Sequence, residues 1–215
     1  MKKSLILIIF LPVFLFSSWS ADSKKIVFKW SIFKKINETS YESIEANGNE
    51  KHKEGDQFKI YVKPIENVYI YIYSLDSENS LDLVFPKNGD FFKKYYKMND
   101  AYFLPDEDGW YEITGKGTEK FYLLASYERL KKIESLTKTY LKLIDNQSNK
   151  KFAEAKMELL NEIDSTRKQY SQFKVYAEKP TSIAGVSRSL EAKIKQLAIH
   201  VEADKFYGKI IRLEH

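Results

Sequence analysis

Residues Gly55 to Tyr73 read GDQFKIYVKPIENVYIYIY, two alternating runs joined by Pro64-Ile65-Glu66-Asn67. Phe58, Ile60 and Val62 share one parity. In the second run Val68, Ile70 and Ile72 share one face, and Tyr69, Tyr71 and Tyr73 the other. A period of two in β-branched and aromatic residues places each run in a strand. The first strand spans Gln57 to Lys63 and stops at Pro64, which has no N–H to give to a ladder. The second spans Asn67 to Leu75.

Similar short runs flank this pair. Ile26 to Phe33 alternates Ile26, Phe28, Trp30 and Ile32 against Val27, Lys29, Ser31 and Phe33, and Tyr41 to Ile44 makes a short edge strand. Asp76 to Ser80 has the composition of a hairpin turn and leads into Leu81 to Phe85, closed by Pro86. A long loop, Lys87 to Asp100, follows. Ala101 to Leu104, Trp110 to Thr114 and Glu119 to Ser126 complete the series, with turns at Asp106 to Gly109 and Gly115-Lys116-Gly117. Short strands about ten residues apart with turn signals between them predict a β-sandwich or a partly open barrel.

After Tyr127 the period lengthens to about 3.6. Leu130, Ile133, Leu136, Tyr140 and Ile144 form one helical stripe, and Phe152, Ala155, Leu159, Leu160, Ile163 and Tyr170 a second. The polar joint Asn146 to Asn149 makes the two an antiparallel αα-hairpin. Pro180 and Gly185 interrupt the chain. A third, shorter helix is expected over Ser189 to Ile199, with Leu190, Ile194 and Leu197 inward. Phe206 to Leu213 is extended again, and a lone terminal strand needs partners for its backbone groups. The expected fold is therefore α+β. A β-sandwich-like antiparallel part (residues 21–127) is followed by a helical insertion (128–200), an αα-hairpin plus a short helix. A final strand (204–215) returns to the sheet, giving a single domain. The helices cover the Tyr69, Tyr71 and Tyr73 face, so that strand is central and buried on both sides.

The first twenty residues have the form of a secretory signal. Lys2 and Lys3 precede an apolar core from Leu5 to Phe16, and small residues follow at Ser17, Ser18, Ser20 and Ala21. The core is about a dozen residues, short of the roughly 20 that span a bilayer. Cleavage after Ser20 places Ser18 three residues from the cut. Cleavage after Ala21 would place Trp19 there, and retention as an N-terminal anchor is the third reading. The expected destination is outside the cytoplasm, periplasmic or secreted, with no membrane span once the signal is removed. The absence of cysteine excludes disulfides, thiol catalysis and zinc-thiolate or iron–sulfur sites. Stability must come from a packed core, which 43% hydrophobic residues can supply. The formal net charge is +5, two of it from Lys2 and Lys3. Acidic and basic residues are otherwise interleaved, which is a solvated surface and not a nucleic-acid footprint.

Several pieces of the strand-rich part occur in a set order. They are Gly55-Asp56, Tyr69-Ile70-Tyr71 with Asp76, Phe85-Pro86, Leu104-Pro105, and Gly117-Thr118-Glu119 before Leu123-Leu124-Ala125-Ser126. Together they resemble the bacterial domain-of-unknown-function family 4384 over about Glu54 to Tyr127, with a further stretch at Phe206 to His215. The resemblance implies a strand-rich, exported or envelope-associated bacterial protein, and it implies no reaction. Each piece also has a folding role: Gly55 can take positive φ at a strand entry, Asp76 can close an Asx-turn, and the prolines stop ladders.

Catalytic groups are sparse. His52 lies between Lys51 and Lys53 in a polar loop, His200 ends the expected third helix, and His215 is the last residue. No pair has metal-ligand spacing, so no metal, cofactor or catalytic residue is expected. Ala184 to Arg188 lacks the second glycine of a nucleophile elbow. Gly115 to Thr118 has the wrong spacing for a phosphate loop. Asp106, Glu107 and Asp108 read as a solvated turn. The aromatics Phe91, Phe92, Tyr95, Tyr96, Tyr102 and Trp110 cluster in the long loop and its flanks. Tyr and Trp anchor binding surfaces, so these six are the candidate contact residues. The expected function is a non-catalytic, exported binding or assembly module, its partner another envelope protein or a polymeric envelope ligand. One alternative is an envelope hydrolase acting on glycan through loop carboxylates. The other is a structural subunit docking through an exposed stripe of Leu159, Ile163 and Tyr170.

Overall fold

Strand alternation sorts this chain into two antiparallel sheets with helices on one of them. The computed structural model describes residues 24–38, 40–44, 51–87, 97–144, 150–182 and 197–215. The expected leader and cleavage site lie outside them. The strands are β1 (Lys25–Asn37), β2 (Ser40–Ser43), β3 (Gln57–Glu66), β4 (Tyr69–Leu75), β5 (Leu81–Phe85), β6 (Tyr102–Leu104), β7 (Tyr111–Glu112) and β8 (Thr118–Ser126). Helices α1 (Lys131–Leu141) and α2 (Lys150–Gln169) come next, then β9 (Val175–Ser182), β10 (Leu197–Asp204) and β11 (Phe206–Glu214). The larger sheet has the order β6-β3-β1-β10-β9, with β2 beside β1 and β7 beside β3. The smaller has the order β11-β8-β4-β5.

The inward parity of both sheets makes one core. Ile26, Phe28, Trp30 and Ile32 of β1 join Phe58, Ile60 and Val62 of β3, and meet Ile70 and Ile72 of β4 and Phe121, Leu123 and Ala125 of β8. The opposite parity of the smaller sheet makes a second core. Tyr71, Tyr73, Leu81, Tyr122 and Leu124 pack against Ile133, Tyr140, Ala155, Leu159 and Ile163 of the helices. The tyrosine strand β4 is thus buried on both faces, as its alternation and the helical stripes predict. Each fully buried side chain of this size contributes about 1.5–3 kcal/mol. The stripe expected to dock on another subunit is already covered, Leu159 and Ile163 both being 0% exposed.

Polar groups tie the helices to β4. The Tyr73 hydroxyl lies 2.8 Å from Thr137 Oγ1, and Thr137 Oγ1 donates to the Ile133 carbonyl at 2.8 Å. Tyr71 Oη donates to Glu134 Oε1 at 2.8 Å and accepts the Leu130 N–H at 3.1 Å. Arg129 completes the cluster, its Nε 3.0 Å from Glu134 Oε1. Glu134 is therefore a buried member of the helix–sheet interface and not a surface charge. With no side-chain cap on α1, Tyr71 supplies a partner for one of its unsatisfied N–H groups.

Three expectations need correction. The third helix does not extend to Ile199: Leu197–Asp204 is strand β10, and residues 183–196 lie outside the described residues. Its register with β1 gives the reason. Ile199, Val201 and Ala203 stand opposite Trp30, Phe28 and Ile26, so apolar residues of one parity complete the core from both strands. Among the described residues the helical part accordingly ends with α2 near Gln169, and strand structure resumes at Val175. Pro64 does not end β3; it pairs with Phe28 at a register shift, a bulge where a missing N–H is tolerated. Pro180 likewise sits inside a strand, β9, which ends its sheet's order, where proline costs least.

The terminal strand does return. β11 pairs with β8 along its whole length, from Phe206 opposite Ser126 to Glu214 opposite Thr118. Lys205, at φ 52, turns the chain from β10 in one sheet to β11 in the other.

Candidate functional site

The two sheets part at the edge formed by β5 on one side and β6 and β7 on the other. Two adjoining hollows open there. The first, about 460 Å³, is bounded by Phe85, Pro86, Tyr102, Phe103 and Leu104, with Lys87, Lys97, Asp100, Asp106 and Glu107 at its rim. The second, about 520 Å³, has Phe58, Val84, Tyr111 and Phe121 as its floor. Asp76, Glu78, Asp82, Glu112 and Glu119 surround it. Lys87 borders both.

Local sequence positions each wall. Phe58 stacks on Tyr111 at 5.3 Å between centroids and meets Phe121 edge-on at 5.6 Å. This trio bridges the sheets and fixes the floor. Asp76 closes the β4–β5 turn, its Oδ1 accepting the Ser80 N–H at 2.6 Å, a bond four residues on where the sequence suggests the shorter Asx-turn. Gly117, at φ 149, lets the β7–β8 connection approach that turn: a Cβ there would lie 2.5 Å from Ser77 Cβ. The pieces scattered through the matched part of the sequence thus converge, since Asp76, Phe85, Pro86, Leu104, Pro105 and Glu119 all line the two hollows.

Carboxylates in the cleft are perturbed by their surroundings. Asp82 is exposed overall, yet its carboxyl, lining the cleft, is pushed above the usual range by lost solvation and then by Asp76. Burial likewise raises Glu119, with Asp76 adding to it and His215 opposing it. The Tyr111 hydroxyl is pushed up to about 12, by burial first and then by Asp82 and Asp106. These shifts all oppose further negative charge in the cleft.

The expected contact residues divide. Phe91, Phe92, Tyr95 and Tyr96 lie outside the described residues. Tyr102 lines the apolar hollow, its ring 5.4 Å from Phe85 and its hydroxyl accepting the Lys97 N–H at 3.0 Å. Trp110 is held from two sides. Tyr41 stacks on it at 5.1 Å, and the Lys59 ammonium lies 4.6 Å from its ring. Lys59 is itself only 2% exposed and donates to the Glu107 carbonyl at 2.5 Å. Desolvation lowers its pKa against the opposing pull of Asp106, Asp108 and Glu107. Lys59 and Trp110 therefore anchor the 106–109 turn. Asp106 is a turn-former there: its carboxylate accepts the N–H groups of Gly109 and Asp108, which hold it below the usual carboxylate range.

Sequence reasoning placed His52 in a solvated loop, but it is 5% exposed, because its N–H bonds the Glu214 carbonyl at 2.8 Å and draws it under β11. His200 lies on β10, 3.1 Å from Glu202, and His215 Nδ1 is 3.0 Å from the Gly115 carbonyl. Among the described residues no group of three or more potential ligands is placed to hold a metal. The acidic cleft went unnoticed in the sequence: Asp76, Glu78, Asp82, Glu112 and Glu119 come from separate turns and strands, and the fold alone unites them.

Residues 51–129 match the family model described as Domain of unknown function (DUF4384), which agrees with the resemblance carried by the ordered motif pieces. The helices, β9, β10 and β11 lie beyond the matched residues. No curated protein and no solved structure matches the chain.

Proposed function

We propose that this chain is an exported, non-catalytic binding module of the bacterial envelope that holds its partner at the parted edge of the sandwich. The carrying observation is the apolar hollow bounded by Phe85, Pro86, Tyr102, Phe103 and Leu104, open between two rigid sheets. Preformed concave sites with a mainly apolar lining and a few polar groups are where proteins take ligands. Lys87, Lys97 and the turn residues Asp106 and Glu107 border this hollow, and loops on a scaffold commonly carry recognition. The partner is another envelope protein or an envelope polymer.

The test is retention of envelope components by the purified chain after mild cross-linking. Tyr102→Ala removes the half-buried ring at the hollow's wall and should lower retention roughly tenfold, about 1.4 kcal/mol. Far-UV circular dichroism checks that the variant is folded. Unchanged retention by a folded variant refutes the reading.

A second reading, hydrolysis of glycan, draws support from Asp82 and Glu119, two carboxyls raised in one cleft. Glycosidases work with two carboxyls across a cleft, at least one of them raised. Turnover of an envelope glycan that is abolished by both Asp82→Asn and Glu119→Gln would favour it over simple binding.

A further inference from the structure

The groove at the sandwich edge has a polarity. The two hollows adjoin: Val84 and Pro105 line one, their neighbours Phe85 and Leu104 the other, and Lys87 both. The half bounded by Phe85, Tyr102 and Leu104 is apolar, with acidic and basic residues mixed at its rim. The other half carries five carboxylates against Lys87. Among the described residues none of those five forms an ion pair. Elsewhere the fold does compensate its acids, as in Asp56 with Lys34, Glu134 with Arg129, Glu162 with Lys132 and Glu178 with Lys209. An uncompensated acidic end on a chain of formal charge +5 sets the sign of what the groove accepts. It disfavours anionic phospholipid headgroups, nucleic acid and other anionic polymers alike. The floor adds the half-buried ring of Tyr111, an aromatic surface that favours a cation.

Resting on the binding reading above, we propose that the occupant is an extended basic segment of a partner protein. Its apolar side chains lie against Phe85, Tyr102 and Leu104, and a lysine or arginine enters the acidic half above Tyr111. A free small cation would use only the acidic half, and an uncharged apolar segment only the other. The groove follows β5, which ends its sheet's order among the described residues. A strand at the end of a sheet can pair with an extended segment, whose side chains then alternate toward the floor.

The experiment is calorimetry and amide chemical-shift mapping on the full chain. Three probes are used: a blocked six-residue peptide of four apolar residues ending in two lysines, its counterpart ending in two glutamates, and spermidine. The lysine peptide should bind and shift residues of β5 and β7. Its affinity should fall about tenfold or more in the Asp82→Asn/Glu112→Gln variant, and also on raising the salt from about 50 to 300 mM. Both substituted residues are exposed, so the fold is expected to tolerate the change. Equal binding of the glutamate peptide overturns the charge assignment while leaving the groove as a contact surface. Spermidine binding as tightly as the lysine peptide overturns the peptide assignment. No binding of either peptide, with Tyr102-dependent retention of an envelope component intact, overturns this inference alone. Loss of that retention's dependence on Tyr102 overturns the underlying reading instead.

Discussion

Replacing Tyr71 by phenylalanine should cost far more than the same change at Tyr73, two residues along one strand face. Both rings are buried, at 1% and 0% exposure, and both hydroxyls meet α1. Tyr71 Oη gives its proton to a carboxylate, Glu134, and accepts the Leu130 N–H. Hydrogen bonds to charged groups contribute about 1.5–3 kcal/mol, and a stranded buried donor costs about 1–3 kcal/mol. The Leu130 N–H is only partly buried, so the lower part of that range applies, and Tyr71→Phe should cost about 3 kcal/mol in all. Tyr73 meets a neutral hydroxyl whose own proton is already given to the Ile133 carbonyl, so Tyr73→Phe should cost about 1 kcal/mol. In a domain of this size 1 kcal/mol moves the melting temperature by about 2–4 °C. The expected losses are therefore about 6–12 °C and about 2–4 °C respectively. Urea unfolding followed by circular dichroism gives the free energies directly. A cycle of Tyr71→Phe with Glu134→Gln should reveal a coupling of at least about 1 kcal/mol. Equal losses at the two tyrosines, or no coupling, would show that Glu134 is not the buried anchor of the helices.

Gly117→Ala should destabilise the fold by about 2–5 kcal/mol, through backbone strain at positive φ and overpacking against Ser77; a loss under about 0.5 kcal/mol in urea unfolding would contradict the close approach of the two turns. Stability should also fall in mild acid because of His52. Burial, and next the Lys34 ammonium, hold its pKa below the ordinary 6.5, and both its ring nitrogens are buried without partners. The unfolded chain thus takes up this proton more readily than the folded one. The His52 contribution is fully present above about pH 6.5 and is lost as the pH falls through that value toward the depressed folded pKa. Urea midpoints at about pH 7.5 and 5.5 should differ less in His52→Gln than in the unaltered chain, and identical differences would exclude His52 as the source.

How far the sequence reveals the fold depends on the range of the interaction that decides each element. Val68 to Tyr73 announces its two-sided burial because alternation and the later helical stripes are both local patterns. The second helical stripe follows for the same reason: Ala155, Leu159 and Ile163 fall inward as their spacing predicts. The segment ending in Leu197-Ala198-Ile199 misleads because its apolar spacing also satisfies a helix. Pairing with β1, more than 160 residues earlier in the chain, overrides that preference, a tertiary effect that propensity cannot register. His52 is misread similarly, since its cover comes from Glu214. The acidic groove is hidden most completely. Each of its carboxylates makes sense alone as a turn residue or a solvated charge, and only the parting of the sheets assembles them.

The strand order has a kinetic consequence. β1, the first strand, lies between β3 and β10, and β8 lies between β4 and β11. Each sheet therefore has an interior strand awaiting a neighbour from the last twenty residues of the chain. Each layer is completed only by those strands, so folding carries a long-range search with a loop-closure cost. Until residues 197–214 emerge, a nascent chain leaves an interior strand of each sheet one neighbour short. Both places are filled when β10 and β11 arrive together across the turn at Lys205.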